Sequence, residues 1–254
     1  MQTWAMRYFE PTPPRILAHR GLALEAPENT LAAFRAAFDI GVTHMETDAH
    51  VTKDGVAVLW HDPTLERWDG SKTRIASLTL GELHQRTRDG HQMVTVSEAL
   101  EALPDAFFNI DVKDPAATDA VCDGVQWVEA EERVLLTSFS EATCRRLRAR
   151  LPLAAHGASA RRVAAAVWAI LRGNERKLDL ALGDCDVVQV PPRMARVDLV
   201  TRKRLAAYKR HVDEVHVWTI NDPGEMMQLL DMGVDGIVTD RADRAMSLLS
   251  DFRG

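Results

Sequence analysis

The sequence predicts a single α/β domain folded as a (β/α)8 barrel, the TIM-barrel architecture. Three observations predict it. The chain has 254 residues, which is close to the typical length of one such barrel. Short runs of β-type residues alternate with amphipathic helical segments from one end to the other, as in successive βα units of a parallel sheet. The β-type runs number eight, which is the number of strands that closes this barrel.

The predicted strands and helices follow the chain in order. The strands are residues 16–18, 44–51, 107–111, 134–138, 153–155, 187–190, 214–219 and 236–239. The clearest helices are residues 30–40, 97–103, 141–150, 198–210, 223–232 and 243–249. Ser140, Asp198 and Asp222 stand where a helix N-cap is expected, because their short side chains can accept a backbone hydrogen bond. Gly41 and Gly233 are expected to end two helices.

One domain, residues 1–254, accounts for the whole chain. Residues 1–14 are polar and contain several prolines, and we expect them to be a short leader onto the first strand. After the second strand, a Lys-Asp-Gly turn at residues 53–55 leads into residues 56–60. Residues 63–96 then form an excursion before the next helix, and we expect it to act as a flap over the barrel mouth.

The composition indicates which partners the protein can bind and in which cellular compartment it is expected. The net charge is −6 with acids and bases interspersed, so we expect no nucleic-acid partner. The longest apolar stretch, residues 163–171, is about half the length that crosses a bilayer. It is predicted to be a buried helix and not a transmembrane segment, whereas peripheral membrane contact stays open, as does the oligomeric state. Three widely spaced cysteines, Cys122, Cys144 and Cys185, favour free thiols in a reducing, cytoplasmic compartment.

Acidic residues recur on one face of two predicted strands. Side chains alternate along a strand, so Glu46 and Asp48 share one face. Asp111 and Lys113 do the same on the next strand, and both sets should point into the barrel near its mouth. Converging carboxylates repel one another unless a cation compensates them, and oxygen ligands suit Ca²⁺ or Mg²⁺. The pattern predicts one divalent metal ion bound by Glu46, Asp48 and Asp111. The alternative is solvated acids, or ion pairs with Lys113 and nearby arginines.

Two histidines follow β-type segments at the expected mouth of the barrel. His19 follows the first strand, and His61 follows residues 56–60. Histidine titrates near neutral pH, so a pair facing one phosphorus atom can supply both an acid and a base. Arg20 is placed to hold a phosphoryl oxygen, and Lys113 adds a second positive charge. Together these residues predict hydrolysis of a phosphodiester.

Eight short motifs occur in order along the chain. They read HRG at 19–21, APENT at 26–30, ExD at 46–48, TKDG at 52–55, HDPTL at 61–65, NIDVK at 109–113, VWTIN at 217–221 and GVDGIVTD at 233–240. In this combination they resemble the glycerophosphodiester phosphodiesterase family, and the resemblance runs from about residue 15 to residue 245. Any one motif is modest evidence, whereas the ordered combination is highly specific.

The resemblance implies a calcium- or magnesium-dependent TIM barrel that cleaves glycerophosphodiesters, such as deacylated phospholipids, to sn-glycerol 3-phosphate and an alcohol. Which alcohol leaves stays open. His19 and His61 would carry general acid-base catalysis, without an assignment of acid and base. The neighbouring glycerol hydroxyl would attack, giving a cyclic phosphate that water then opens. Arg20 and Lys113 would bind the phosphate. The third metal ligand of the family is usually glutamate, so Asp111 leaves the identity of the metal open.

Five further residues are expected to support the site. Trp218 resembles the substrate-side tryptophan of the family, with core packing as an equal alternative. Glu28 and Asn29 are expected to organise the first loop and cap the first helix rather than touch substrate. Asp62 and Asp240 are expected to be supporting or turn residues rather than catalysts.

Two other functions stay open. A phospholipase D-like enzyme acting on lysophospholipids or sphingolipids would use the same site, and it requires an apolar groove beside the mouth. Trp60, Trp68 or residues 164–171 could form this groove only if they are exposed. The other is a non-catalytic barrel that binds glycerol phosphate, although both histidines and all three acids in register argue against it. Comparing glycerophosphocholine with a lysolipid as substrate tests the first alternative, and binding without turnover supports the second.

Overall fold

Strands and helices alternate through the computed structural model, which describes residues 7–10 and 12–253. The strands are β1 (Arg15–His19), β2 (His44–Val51), β3 (Ala57–Leu59), β4 (Phe107–Val112), β5 (Val134–Thr137), β6 (Ala155–His156), β7 (Val187–Val190), β8 (Arg193–Met194), β9 (Val197–Asp198), β10 (Glu214–Val217) and β11 (Gly236–Thr239). The α-helices are α1 (Leu31–Asp39), α2 (Glu66–Asp69), α3 (Leu80–His84), α4 (Val96–Ala102), α5 (Thr118–Trp127), α6 (Glu141–Arg150), α7 (Ala160–Leu171), α8 (Glu175–Leu182), α9 (Arg202–Tyr208), α10 (Pro223–Met232) and α11 (Ala242–Arg253). Short 3-10 segments lie at Arg7–Phe9, Ile75–Ser77, Pro115–Ala117 and Glu131–Arg133.

Eight parallel strands form a nearly closed barrel. Their order is β6-β5-β4-β2-β1-β11-β10-β7. The two end strands meet at a parallel bridge between Gly157 and Val187, and the Ala158 amide donates to the Val187 carbonyl at 2.9 Å. These are the eight strands predicted from the sequence, with ends that differ by no more than two residues. The predicted (β/α)8 barrel is therefore confirmed.

Side-chain caps set two of the predicted helix starts. Ser140 accepts a hydrogen bond from the Thr143 amide at the start of α6. Asp222 accepts one from the Glu225 amide at the start of α10. Gly233 ends α10 in the left-handed conformation, which glycine adopts without a Cβ clash. These positions are the predicted ones.

The helix predicted at residues 198–210 begins four residues later, at the start of α9. Asp198 is not its N-cap, because it lies in β9 and pairs with Arg193 of β8. Thr201 caps α9 instead and accepts a hydrogen bond from the Arg204 amide. The antiparallel hairpin β8–β9 was not predicted.

Helix α7 contains the apolar run at residues 163–171, but it is not a buried helix as predicted. Val163, Ala166 and Ala169 on one side are buried. Trp168 and Leu171 on the other side are each 55% exposed. The prediction failed because both faces of this helix are apolar, which hides its orientation from a hydropathy reading. In the described part of the chain, no helix is long and apolar enough to cross a membrane.

The described part of the predicted leader closes the bottom of the barrel. Residues 1–6 and 11 of the leader lie outside the described residues. Tyr8 is fully buried. It belongs to an apolar cluster that also contains Phe107, Leu135, Ala155 and Val187. Residues 7–9 are thus part of the barrel and not only a leader onto it.

Polar side chains fill the barrel interior above this cluster. The Arg15 Nε donates to Glu214 Oε2 at 2.7 Å, and Arg15 Nη1 lies 3.2 Å from His44 Nε2. The Gln189 amide donates to Asn109 Oδ1. Buried charges are stable when paired in this way, so we assign these residues to the structure of the barrel.

Residues 63–96, with Trp60, pack around a small apolar core of their own. The buried members of this core include Trp60, Leu65, Trp68, Ile75, Leu83 and Met93. Trp60 and Trp68 are 0% and 4% exposed, so neither forms an apolar groove at the surface. We call residues 63–96 the side lobe.

Candidate active site

A cavity of about 580 Å³ lies at the C-terminal ends of the barrel strands. Ligand sites of (β/α)8 barrels lie at this end. The residues predicted to catalyse or to bind metal, phosphate or substrate all line the cavity: His19, Arg20, Glu46, Asp48, His61, Asp111, Lys113 and Trp218. The structure thus brings these eight residues together.

Strand register places the acids side by side. Glu46 of β2 pairs with His19 of β1, and Asp48 of β2 pairs with Asp111 of β4. Side chains at paired positions of neighbouring strands point to the same side of a sheet, here the barrel interior. A slip of one residue would turn each acid outward. Buried apolar residues that flank the acids on the opposite face of the strand, Met45 and Ala49, therefore hold this register.

His19 is held by a carboxylate on one ring nitrogen. Its Nδ1 lies 2.5 Å from Oδ1 of Asp240, and the Asn221 side chain donates to Oδ2 of Asp240 at 2.7 Å. The other ring nitrogen, Nε2, lies 3.7 Å from Oε2 of Glu46. Burial disfavours the imidazolium, but the hydrogen bond to Asp240 and the charge of Glu46 outweigh it and raise the pKa of His19. The hydrogen bond with His19 lowers the pKa of Asp240.

His61 is held in the same way by its neighbour. Its Nδ1 lies 2.7 Å from Oδ1 of Asp62. The Nε of Arg67, from the side lobe, donates to Oδ2 of Asp62 at 2.5 Å. Burial opposes the charge of Asp62, but the hydrogen bonds from His61 and Arg67 lower its pKa overall. Each histidine therefore presents Nε2 as the nitrogen available to a substrate.

The first loop places Arg20 over the acids. Arg20 adopts a positive φ of 59°, and the following Gly21 has a φ of 84°. A Cβ on Gly21 would lie 2.6 Å from the backbone of Ala33, so only glycine allows this approach of the loop to α1. The Nε of Arg20 lies 2.9 Å from Oδ2 of Asp48, without the alignment of a hydrogen bond.

Glu28 and Asn29 organise this loop, as predicted, but neither caps α1. Glu28 Oε1 accepts from Nη1 of Arg20 at 3.2 Å and from Nη2 of Arg67 at 2.6 Å. Asn29 Oδ1 accepts from the Thr47 hydroxyl at 2.6 Å. The cap is Thr30, whose hydroxyl oxygen accepts from the Ala33 amide at 3.3 Å. Asn29 has a φ of 57°, whereas Thr30 has the extended backbone of an N-cap.

Lys113 compensates two of the three acids. Its Nζ lies 2.9 Å from Oδ1 of Asp48 and 2.6 Å from Oδ2 of Asp111. Burial opposes the charge on Lys113, but these two carboxylates raise its pKa overall. Burial also raises the pKa of Asp111, although Lys113 acts against it. The ammonium group therefore forms the ion pairs that were the alternative to a metal ion at Asp48 and Asp111.

Glu46 is the acid with the least compensation, since its nearest cationic partner, His19 Nε2, lies 3.7 Å away. Its Oε2 is buried without a hydrogen-bond partner among the described residues. Burial, and then the charge of Asp48, raise its pKa to about 8. A divalent cation would bind favourably beside this unpaired buried oxygen. It would offset the repulsion between the carboxylates and the cost of burying the charge of Glu46.

The three predicted ligands do not form a ready-made metal site. Across residues 7–10 and 12–253, no three histidine, cysteine, aspartate or glutamate side chains are grouped so as to hold a metal ion. The Lys113 ammonium group is paired with both Asp48 and Asp111, so it competes with a metal ion for these two carboxylates. The donor atoms suit a hard cation, and the orphaned oxygen of Glu46 fits one. The metal site stays a prediction.

Trp218 lies on the cavity wall and not in the core. It is half-buried and faces Phe139, with ring centroids 6.5 Å apart at 75°. Phe139 is 60% exposed, and Lys113 Nζ lies 5.5 Å from the centroid of its ring. Phe139 was missed because it lies between the end of a predicted strand and a predicted helix N-cap, where nothing in the sequence indicates a substrate contact.

A large part of the cavity wall is apolar, and residues 164–171 form part of it, as one alternative from the sequence required. Side chains of α7, the hairpin β8–β9 and the segment after it form one apolar wall, which we define by Val163, Ala164, Val167, Trp168, Leu171, Met194, Val197 and Leu199. The signal was present in α7, where the spacing of Ala164, Val167, Trp168 and Leu171 repeats with the helical period on one face. No residue of the described side lobe lines the cavity, and its role as a flap over the mouth stays a prediction. The side lobe has its own core, and its Arg67 donates hydrogen bonds to Glu28 and Asp62 beside the site.

Comparisons with known proteins agree with these motifs. The model of the "Glycerophosphoryl diester phosphodiesterase family" matches residues 19–244. A Mycobacterium tuberculosis protein named "Probable glycerophosphodiester phosphodiesterase 2" is 35% identical over 237 residues, covering 92% of this chain and 89% of that protein. A human protein named a lysophospholipase D is 26% identical over 276 residues, covering 93% of this chain and 86% of that protein.

A solved structure is similar in fold. An Oleispira antarctica phosphodiesterase, in complex with the product sn-glycerol-3-phosphate, has a TM-score of 0.75 to this chain at 22% identity. The match covers 94% of this chain and 97% of that one. Since the family model spans most of the sequence and the mycobacterial relative matches it nearly end to end, this chain belongs to the glycerophosphoryl diester phosphodiesterase family.

Proposed function

We propose that this protein hydrolyses glycerophosphodiesters to sn-glycerol 3-phosphate and an alcohol. One observation carries the proposal: His19 and His61 line the same cavity, and each is fixed through Nδ1 by a carboxylate. Two imidazoles with a free Nε2 in one cavity can move a proton on each side of a phosphodiester. Family membership supports the same substrate class.

We infer that the two histidines divide the proton transfers. One Nε2 removes the proton of the neighbouring glycerol hydroxyl as that oxygen attacks phosphorus. The other Nε2 gives a proton to the oxygen of the departing alcohol. The product of this step is a cyclic phosphate, which water opens with the two roles reversed. Each transfer is of the kind that typically contributes about 10²–10⁴-fold in rate.

Arg20 and Lys113 bind the phosphoryl oxygens in this scheme. Both cations are paired with Asp48 before substrate arrives. A phosphodiester would draw them toward its oxygens, because charge-assisted hydrogen bonds to phosphate are strong and the guanidinium can make two. Trp218 and Phe139 would then contact the organic part of the substrate beside the phosphate.

A divalent cation, Ca²⁺ or Mg²⁺, would be held by Glu46, Asp48 and Asp111. Glu46 supports this because it has an unpaired buried oxygen, whereas Asp48 and Asp111 would first have to give up Lys113. When bound, such a cation supplies Lewis-acid stabilisation of charge on the phosphoryl oxygens. The release of Lys113 would leave its ammonium group available to the phosphate.

The experiment is an assay of sn-glycerol 3-phosphate release from glycerophosphocholine, glycerophosphoethanolamine and glycerophosphoglycerol. It is run with chelator and then with Ca²⁺ or Mg²⁺ added back. We expect release from at least one diester and restoration by one of the two ions. Tight binding of glycerol phosphate without turnover of any diester would support the non-catalytic alternative instead.

The apolar wall favours a second candidate, lysophospholipase D-like action in the same cavity. A small polar head group gains little from contact with Val167, Trp168 and Leu171 of this wall. One acyl chain, in contrast, would bury apolar surface against them. The human relative carries the name of this activity. Lysophosphatidylcholine and glycerophosphocholine are compared as substrates of the wild type and of Trp168→Ala. A chain-binding wall predicts that Trp168→Ala loses activity on the lysolipid and keeps it on glycerophosphocholine.

A further inference from the structure

The outer side of α7 and the hairpin β8–β9 form an exposed apolar surface at the mouth of the cavity. Trp168, Leu171 and Met194 are each 55% exposed. The same three side chains belong to the cavity wall, so the outer surface and the interior of the cavity are continuous. A group of large exposed apolar side chains on a folded protein usually marks an interaction surface.

Positive charge surrounds these side chains. Residues 160–173 and 193–204 contain eight arginines or lysines and one acid, Asp198, although the whole chain has a net charge of −6. That acid is paired with Arg193. Within the described part of the chain, Arg196 and Lys203 are exposed and form no ion pair. Arg172 lies over the Trp168 ring, 4.3 Å from its centroid.

A cleft of about 410 Å³ brings the cations against the apolar side chains. Ile170 and Leu171 line one part of it, and its other lining residues are Arg196, Val197, Asp198, Thr201, Lys203 and Arg204. We define the docking face as the exposed apolar residues and the cations together: Trp168, Leu171, Arg172, Met194, Arg196, Lys203 and Arg204. It is one surface in which apolar and cationic groups alternate.

This chemistry matches the boundary of a lipid bilayer. Tryptophan and arginine both pair an apolar body with a polar group, and they are stable where hydrocarbon meets water. Lysine and arginine are attracted to anionic lipid head groups, and the apolar side chains can enter the region between them. The charge complementarity and the open connection to an apolar cavity favour a lipid surface over a protein partner.

We propose that the docking face binds membranes that contain anionic lipids and thereby sets the mouth of the cavity against the bilayer. The interaction goes beyond the hydrolysis proposed above, because it requires no turnover. Membrane binding by the docking face would also let a single-chain lipid pass from the bilayer along the apolar wall into the cavity.

The test is sedimentation of the full chain with vesicles. Vesicles of phosphatidylcholine alone are compared with vesicles that also contain phosphatidylglycerol, at low and at physiological salt. We expect binding to the mixed vesicles that weakens as salt rises, and much weaker binding to phosphatidylcholine alone. The double variant Arg196→Glu with Lys203→Glu should bind the mixed vesicles at least about 25-fold more weakly, from about fivefold for each lost cation.

A matched control separates this face from net charge. Arg35 of α1 and Arg244 of α11 are exposed arginines on helices that flank β1 and β11, on the opposite side of the barrel from β6 and α7. The double variant Arg35→Glu with Arg244→Glu makes the same change in net charge and should retain vesicle binding. Hydrolysis of glycerophosphocholine, which needs no membrane, should survive in both double variants and shows that they are folded.

Three results would overturn the proposal. They are no binding of the wild type to mixed vesicles, equal binding to both kinds of vesicle, and equal losses in the two double variants. Vesicle binding by a wild type that hydrolyses no diester would instead contradict the proposed function and leave the docking face intact.

Discussion

The Nδ1 atom of His19 lies 2.5 Å from Oδ1 of Asp240, which joins β1 to the loop after the neighbouring strand β11. His61 has an equivalent contact with Asp62, at 2.7 Å. A carboxylate on Nδ1 fixes the ring orientation and the tautomer, and it stabilises the imidazolium that forms when Nε2 takes a proton. The site therefore has two imidazoles of fixed orientation, one for each of the proposed proton transfers.

Replacement of Asp240 by asparagine should lower kcat about 10- to 100-fold, because the amide holds the ring less firmly and no longer stabilises its charge. KM for glycerophosphocholine should change little, since Asp240 supports His19 without touching the phosphate. Steady-state kinetics measure both constants. The matched control is Asp243→Asn, a nearby acid on α11 that pairs with Arg241 and should behave as wild type. An unchanged kcat in Asp240→Asn contradicts the positioning role.

Alanine at His19 or at His61 should each reduce turnover by about 10²–10⁴-fold, because each removes one proton transfer from the reaction. Both variants should still bind sn-glycerol 3-phosphate, since Arg20 and Lys113 are intact. Kinetics and product binding by calorimetry are measured on the same samples. If both alanine variants turn over at the rate of the wild type, the two histidines have no catalytic role.

Glutamine at Glu46 should weaken Ca²⁺ or Mg²⁺ binding at least about 10-fold, because a neutral amide is a poorer ligand for a hard cation. Isothermal titration calorimetry of the metal-stripped protein measures the affinity directly, without an activity assay. Glu101→Gln, which changes an exposed acid on α4, is the control. Equal affinities of wild type and Glu46→Gln would remove Glu46 from the ligand set.

Acid should destabilise the fold partly through His156. Burial, with a smaller contribution from Arg148, lowers the pKa of His156 to about 4 from 6.5. Between these values the unfolded chain takes up a proton that the folded chain refuses, so the free energy of unfolding falls as pH drops from 6.5 to 4. The full effect of one such group is about 3 kcal/mol. His156→Gln should flatten this part of the curve, measured by urea unfolding at several pH values, and a curve parallel to that of the wild type contradicts the assignment.

The alternation of side chains on two strands was enough to predict the acids. Glu46, Asp48 and Asp111 could be placed together from sequence because strand periodicity is strict and because apolar neighbours fix which face is inward. His19 and His61 followed from their positions at the ends of β-type segments. These are local rules, and they hold wherever the strands are correctly identified.

The parts that could not be predicted depend on contacts between distant segments. Ion pairs with Lys113 and a supporting role of Asp240 were open from the sequence, but nothing local shows that Lys113 would reach Asp48 on another strand or that Asp240 would contact His19. The exposed side of α7 could not be assigned because the run at residues 163–171 is apolar on both faces, so its exposure remained only an alternative. The apolar core of the side lobe was not predicted, because it forms only when distant residues such as Trp60 and Trp68 pack together, with ring centroids 5.4 Å apart.

Phosphorus NMR of glycerophosphocholine incubated with the purified protein and a divalent cation tests the central claim most directly, since it shows which ester bond is broken. We expect the diester signal to be replaced by that of sn-glycerol 3-phosphate, with free choline as the second product. A diester signal that persists unchanged, or the appearance of phosphocholine, would contradict it.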